Sequence, residues 1–245
     1  MSRIFLENCD VDLPVYGLKA RSLKGALISA ATGGRLASDS RNDLTVIRSL
    51  SGISLNIGAG ERVALIGHNG AGKSTLLRLI AGIYDPTHGS ISVEGKIVSL
   101  LDLSAGMDLE STGYENIKIS ALMHGIPSSR LDEYVRRVAE FSELEGYLEL
   151  PIRVYSSGML MRLAFSIATD LETDILLMDE WISVGDADFI HKAEERLKTF
   201  IDRAKILAIA THSTDLVQRV CNRVIELEHG VIKHDSSKPQ TGDLN

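Results

Sequence analysis

Gly67-His68-Asn69-Gly70-Ala71-Gly72-Lys73-Ser74-Thr75 stands between an apolar run, Arg62 to Ile66, and a helical pattern, Leu76, Leu77, Leu79 and Ile80, that ends near Gly82. Strand, glycine-rich loop and helix in that order is the setting in which this pattern holds nucleotide phosphate. The glycines let successive backbone N–H groups turn inward around a β-phosphate, and the helix N-terminus adds partial positive charge. Lys73 then reaches the β- and γ-phosphates. Ser74 offers a hydroxyl to Mg2+, whose other positions are filled by phosphate oxygens and water. The stretch predicts an α/β fold built on a mainly parallel sheet.

Upstream of it, Arg3 to Leu6 reads as a first strand, and Ile53, Leu55 and Ile57 alternate with polar neighbours as a second, closed by a turn at Gly58 to Gly60. Downstream, from about Gly113 to Ala168, the pattern changes to amphipathic helices. Ser128 and Ser129 are expected to cap one whose apolar face carries Leu131, Val135, Val138 and Phe141. Apolar strands return at Ile175 to Met178 and Ile206 to Ala210, with a charged helix from about Phe189 to Ile201 between them, as in a parallel sheet with crossover helices. We therefore expect one domain over residues 1–232, with a helical lobe at about 104–170 and an antiparallel β part. Residues 233–245 read as a polar, disordered tail.

Composition narrows the rest. At 245 residues and 44% hydrophobic, the chain has apolar material for a core of ordinary size. No apolar run approaches the ~18 to 20 residues that span a bilayer, and Met1 to Asp10 lacks the basic-then-apolar order of a signal peptide, so a cytoplasmic location is expected. The formal charge of -7 argues against nucleic-acid partners, whose phosphates are held by clustered Lys and Arg. Cys9 and Cys221 lie far apart without metal-ligand spacing and read as buried or reduced thiols.

Ile175 to Met178 is followed by Asp179 and Glu180, two carboxylates at the end of a strand expected to be buried, where open α/β sheets bind ligands. Downstream of a phosphate loop, Asp179 is expected to hold Mg2+ through water, and Glu180 to face the γ-phosphate and polarise the attacking water. Gly158 stands 21 residues ahead of Asp179, inside Tyr155-Ser156-Ser157-Gly158-Met159 at the opening of a helix. A serine cap, a glycine and a helix start form a second anion site. This segment resembles the Leu-Ser-Gly-Gly-Gln signature of ABC ATPases, altered to Tyr-Ser-Ser-Gly-Met. In the expected order, Ser183-Val184-Gly185-Asp186 resembles the D-loop and Ala210-Thr211-His212-Ser213 the switch-histidine segment. The resemblance covers residues 1 to 232 and implies a head-to-tail dimer. It implies that the phosphate loop of one copy, with catalytic Lys73, Glu180 and His212, and the signature residues Ser156, Ser157 and Gly158 of the other enclose each ATP, with Asp186 also at the nucleotide.

Gly106-Met107-Asp108, Thr112-Gly113-Tyr114-Glu115-Asn116-Ile117, Phe141-Ser142-Glu143-Leu144 and Asp179-Glu180-Trp181 are together similar to the ATPases of bacterial lipid-linked polysaccharide export, the Wzt type of O-antigen systems and its teichoic acid and capsule relatives. That branch implies a Wzm-type permease as membrane partner, a lipid-linked polysaccharide as cargo and residence on the cytoplasmic face of the plasma membrane. A soluble ABC ATPase acting with non-membrane partners is the alternative. Two departures stand out. Gln218 and Gln240 are the only glutamines, so the loop around Asp102 to Glu110 lacks the Gln most relatives place near Mg2+. Tyr16 is the only nearby aromatic for stacking on adenine, and it could equally face the membrane partner. Finally, Gly17 to Arg41 is longer than a compact turn needs. It carries Lys19, Arg21, Lys24, Arg35 and Arg41 against the single acid Asp39, which suits a membrane-surface contact.

Overall fold

The structure, a computed structural model, describes residues 2–15, 36–39, 44–180 and 187–236. Two compact units divide the chain. The first comprises Met1–Gly95, Leu177–Glu180 and Lys205–Asn245, and the second Lys96–Leu176 and Trp181–Ala204.

In the first unit, β1 (Arg3–Val15), β2 (Leu36–Asp39), β3 (Leu44–Gly58) and β5 (His88–Glu94) form an antiparallel sheet in the order β2-β3-β1-β5. The two strands expected from alternation pair directly, Ile4 with Ile57 and Leu6 with Leu55. Their inward residues Ile4, Leu6, Ile53 and Ile57 are almost completely buried. β1 runs on well past Leu6, where its register against β3 shifts between Leu6 and Cys9, Cys9 and Val11, and Val11 and Asp12. Each shift breaks the two-residue alternation, which is why the sequence pattern stops at Leu6 while the strand does not. Cys9 is buried and Cys221 half-buried. Burial pushes both thiols up, Cys221 to about 11.

The second sheet of this unit carries the loop. β4 (Arg62–Ile66) runs parallel to β8 (Ile206–Ala210) on one side and to β9 (Arg223–Glu228) on the other, and β10 (Val231–Asp235) returns antiparallel along β9. The closing residues of β7 (Ile175–Asp179) lie beyond β8. Every residue of β8 is buried, as a central parallel strand covered on both faces requires. α1 (Lys73–Ile80) packs against β8 and β3.

β10 corrects the expected boundary at 232, because Lys233, His234 and Asp235 belong to the strand. Their polarity is that of an edge, and Asp235 is tied inward. Its carboxylate accepts from Arg223 Nε (2.9 Å) and Nη2 (2.7 Å), while Arg223 Nη1 donates to Glu61 and to the Asn56 carbonyl, both at 2.8 Å. Ser236 continues the pairing, with its N–H donated to the Val224 carbonyl.

The second unit holds β6 (Ile97–Ser99), α2 (Gly113–Met123), α3 (Ser128–Ser142), α4 (Ser157–Thr169), α5 (Ala187–Arg203) and the opening of β7, and so reaches beyond the expected lobe at 104–170 on both sides. α2 opens with a reciprocal cap: Thr112 Oγ1 accepts the Glu115 N–H and the Glu115 carboxylate accepts the Thr112 N–H. α3 differs from expectation at its start. Pro127 occupies the N-cap position and its carbonyl receives the Arg130 N–H at 2.8 Å, so Ser128 and Ser129 fall inside the first turn and do not cap it. Its inward face is also rotated. Val138 is buried as expected, but with Tyr134, Ala139 and Ser142, leaving Leu131, Val135 and Phe141 half-buried. The cause is Tyr134, whose hydroxyl donates to the Ile167 carbonyl at 3.0 Å and whose phenol is pushed up by burial.

Phe141, Phe165 and Phe189 join α3, α4 and α5, with ring centroids 5.6 to 6.4 Å apart. Beside them Asp170, whose side chain is only 7% exposed, accepts from both Arg137 and Arg196. Among the described residues no helix is long and apolar enough to cross a membrane.

Candidate nucleotide site

The phosphate loop joins β4 to α1 and is fixed by contacts that side chains would obstruct. A Cβ on Gly67 would overlap the Leu227 carbonyl oxygen, and one on Gly72 would sit 2.9 Å from Leu50 Cδ2 and 3.0 Å from the Ser49 carbonyl. Both glycines hold positive φ, 142° and 110°. Gly72 is the N-cap of α1 and contributes no side-chain cap, and no acidic residue lies in the first turn, so the helix's own side chains leave its terminal N–H groups to a ligand.

Lys73 is 8% exposed. Its ammonium donates to the Gly67 carbonyl at 2.7 Å and to the His68 carbonyl at 3.2 Å, and lies 3.4 Å from His212 Nε2. The structure thus brings together two residues 139 positions apart in the chain. His212 is exposed and sits on the short connection from β8 to α6 (Thr214–Val220), where Thr211 accepts the Ser213 N–H and Ser213 caps the helix. His68, Asn69 and Gly70 are exposed, whereas Ala71 and Thr75 are buried. Thr75 Oγ1 lies 2.7 Å from Ser49 Oγ, a partner on β3 that has no local signal in the sequence.

Asp179, half-buried, ends β7, and Glu180 follows it, exposed. The Glu180 N–H donates to the Ala210 carbonyl at 2.7 Å, which places the carboxylate-bearing residue beside the strand that leads to His212. Glu180 has a φ of 66°. For a residue with a Cβ this left-handed backbone costs roughly 1 kcal/mol, and such conformations collect at functional positions. Ser74, half-buried in the first turn of α1, and Asp179 supply a hydroxyl and a carboxylate, the hard oxygen donors that suit Mg2+.

The signature segment lies in the second unit. Ser156 is the N-cap of α4 and its Oγ accepts the Met159 N–H at 3.2 Å. Ser156 and Ser157 are exposed and Gly158 half-buried. Tyr155 anchors the segment by donating its hydroxyl to the Tyr147 carbonyl at 2.9 Å, and burial pushes its phenol up. The loop without a glutamine is tied instead by Asn116 of α2, which is 3% exposed. Its amide donates to the carbonyls of Asp108, Ser111 and Thr112, and its Oδ1 accepts the Asp108 N–H. Tyr16, Asp186 with Ser183 to Gly185, Trp181 and the basic side chains of Gly17 to Arg41 lie outside the described residues.

A sequence profile described as ABC transporter matches residues 50–183, a span that holds the phosphate loop, the signature segment and the acidic strand end. This chain belongs to the ABC transporter family. Among its ABC relatives, the O-antigen export system ATP-binding protein RfbE of Yersinia enterocolitica is 42% identical over 236 residues, 96% of this chain and 98% of that protein. The teichoic acids export ATP-binding protein TagH of Listeria monocytogenes serotype 4b is 39% identical over 184 residues, 75% of this chain and 55% of that protein. In fold, the chain is similar to an ATP-binding cassette solved as a dimer in a post-hydrolysis state with ADP and Pi (TM-score 0.67, 20% identity, 95% of this chain and 97% of that chain). An ATP-binding subunit of an ABC transporter gives a TM-score of 0.66 at 24% identity, covering 95% of this chain and 88% of that chain.

Proposed function

We propose that this chain binds and hydrolyses ATP as the energising subunit of an ABC exporter whose cargo is a lipid-linked, O-antigen-like polysaccharide. The observation that carries the reading is the buried Lys73 ammonium, held by the Gly67 and His68 carbonyls beside His212 at the end of the parallel strands. Lys73 exchanges those carbonyls for β- and γ-phosphate oxygens, while the uncapped N-terminus of α1 receives the phosphate charge. Ser74 and Asp179 hold Mg2+, which neutralises charge on the phosphates. Glu180 orients the attacking water and accepts its proton, and His212 faces the γ-phosphate from the β8 side.

The relatives named as O-antigen and teichoic acid export proteins support the export reading over a soluble ATPase with non-membrane partners. In that setting the subunit works on the cytoplasmic face of the plasma membrane against a Wzm-type permease, as a head-to-tail dimer in which Ser156, Ser157 and Gly158 of one copy close the ATP site of the other. Leu109, Tyr147, Leu150 and Val154, between 42% and 59% exposed, lie on segments of the second unit that the Arg153 to Leu109, Gly113 to Leu150 and Leu150 to Tyr147 backbone bonds bring near one another. Exposed apolar residues on neighbouring segments suit a protein partner.

The test is Glu180→Gln. We expect ATP binding to remain and turnover to fall by about 100-fold or more, because the amide keeps the shape and loses the base. A variant that hydrolyses ATP at close to the wild-type rate would remove Glu180 from this role. Loss of polysaccharide export in cells carrying the variant, at equal protein level, ties the activity to the cargo.

A further inference from the structure

The phosphate loop is gripped from outside by the turn between β9 and β10. His229 and Gly230 both hold left-handed backbone, φ 52° and 81°, the conformation of a tight two-residue hairpin. The β9–β10 hairpin meets the loop at three separate places. The Leu227 carbonyl occupies the space where a Gly67 side chain would stand. The His229 ring packs on the His68 ring, with centroids 4.8 Å apart and planes at 59°. The Gly230 N–H donates to the Ala71 carbonyl at 2.9 Å, and the Gly230 carbonyl accepts the Ser51 N–H at 2.8 Å. Gly230 is itself confined: a Cβ there would lie 2.5 Å from the Ser49 carbonyl oxygen and 3.3 Å from Leu50 Cα.

The third contact has a geometric effect on the site. No described peptide bond is cis, and in a trans peptide the carbonyl and the following N–H point in opposite directions. Holding the Ala71 carbonyl toward the turn therefore aims the Gly72 N–H away from it, toward the side where an anion is received. His68 Nδ1 lies 2.8 Å from the Asn69 carbonyl, so fixing the His68 ring against His229 also steadies the exposed His68 to Asn69 edge.

We propose that His229 and Gly230 are positioning residues for nucleotide binding, acting through the His68 ring and the Ala71 peptide to preset the phosphate loop. The proposal rests on the reading that this loop binds ATP.

The experiment compares His229→Asn, His68→Ala, the double variant and Gly230→Ala in the full chain. Asn tolerates left-handed backbone, so His229→Asn removes the ring and keeps the turn. We expect ATP and ADP affinity to fall together by about three- to tenfold in His229→Asn, with kcat at saturating ATP within about twofold of wild type. In the double variant the two losses should not multiply, because they remove one shared contact. Gly230→Ala should weaken binding further, and if it does not fold, His229→Asn decides. Wild-type ATP affinity in His229→Asn, or losses that multiply fully in the double variant, overturns the proposal. A wild-type chain that binds no ATP would instead overturn the reading of the loop, and this proposal with it.

Discussion

Two glycine-containing helix starts of this protein are built in opposite ways. At the phosphate loop the helix is capped by Gly72 without a side chain, and Gly67 and Gly72 are confined by Leu227, Ser49 and Leu50. At the signature segment, Ser156 caps its own helix, both serines are exposed, and a Cβ on Gly158 would meet nothing nearer than Ser156 Oγ at 3.9 Å. The first is shaped by its own unit and leaves donors for a ligand. The second is already satisfied by its own side chain and accessible, so what it does must come from something that arrives on it. A third start, at Thr112, is closed in both directions by its capping box and offers a ligand nothing.

The sharpest way to break this contrast is to add the same methyl group to both glycine loops. Gly67→Ala should abolish detectable ATP binding and lower stability by at least about 2 kcal/mol, since a left-handed residue gains a side chain against a backbone oxygen. Gly158→Ala, in the first turn of α4, should leave stability unchanged or raise it by up to about 1 kcal/mol. Urea unfolding and nucleotide titration of the two variants measure this, and equal losses would erase the distinction.

Next in size is Ser156→Arg. A bulky cation on the exposed helix start should reduce hydrolysis at least about tenfold, while removal of the serine cap costs stability only about 1 kcal/mol. ATP binding by the single chain should be unaffected. Weakened binding in a monomeric sample would mean that the segment serves its own chain's site.

The smallest effect belongs to the closed start. Glu115 is held below the usual carboxylate range by the Thr112 N–H and hydroxyl. Its stabilising contribution is therefore complete above the unfolded-chain value and is lost as pH falls through the lower folded value. Urea midpoints of wild type and Glu115→Gln should differ at neutral pH and converge below about pH 4.5. A gap that stays constant down to acid pH would mean that the carboxylate charge contributes nothing to the cap.

What the sequence made legible follows the range of the contacts involved. The phosphate loop could be read because its decisive bonds, Lys73 to Gly67 and His68, join residues five and six positions apart. The acidic strand end was similarly plain from one apolar run. The Ser49 to Thr75 contact and the grip of Gly230 on Ala71 join distant residues of ordinary type, and nothing local marks them. α3 was found, but its inward face was misplaced because Tyr134 pairs polarity with burial, and a hydrophobic count ranks it below Leu131. The last three residues of β10 read as tail because all three, Lys233, His234 and Asp235, are charged or titratable.

That strand sets a limit on how far the protein can be shortened. Removing everything after Ile232 would strip Asp235 from an Arg223 side chain that is only 7% exposed, leaving a guanidinium in the first unit half-satisfied by Glu61 and the Asn56 carbonyl. Cutting after Ser236 keeps the fork and the Val224 pairing intact. A reporter or affinity handle fused behind Ser236 leaves the hairpin that carries His229 undisturbed, whereas one fused behind Ile232 loosens it at the base.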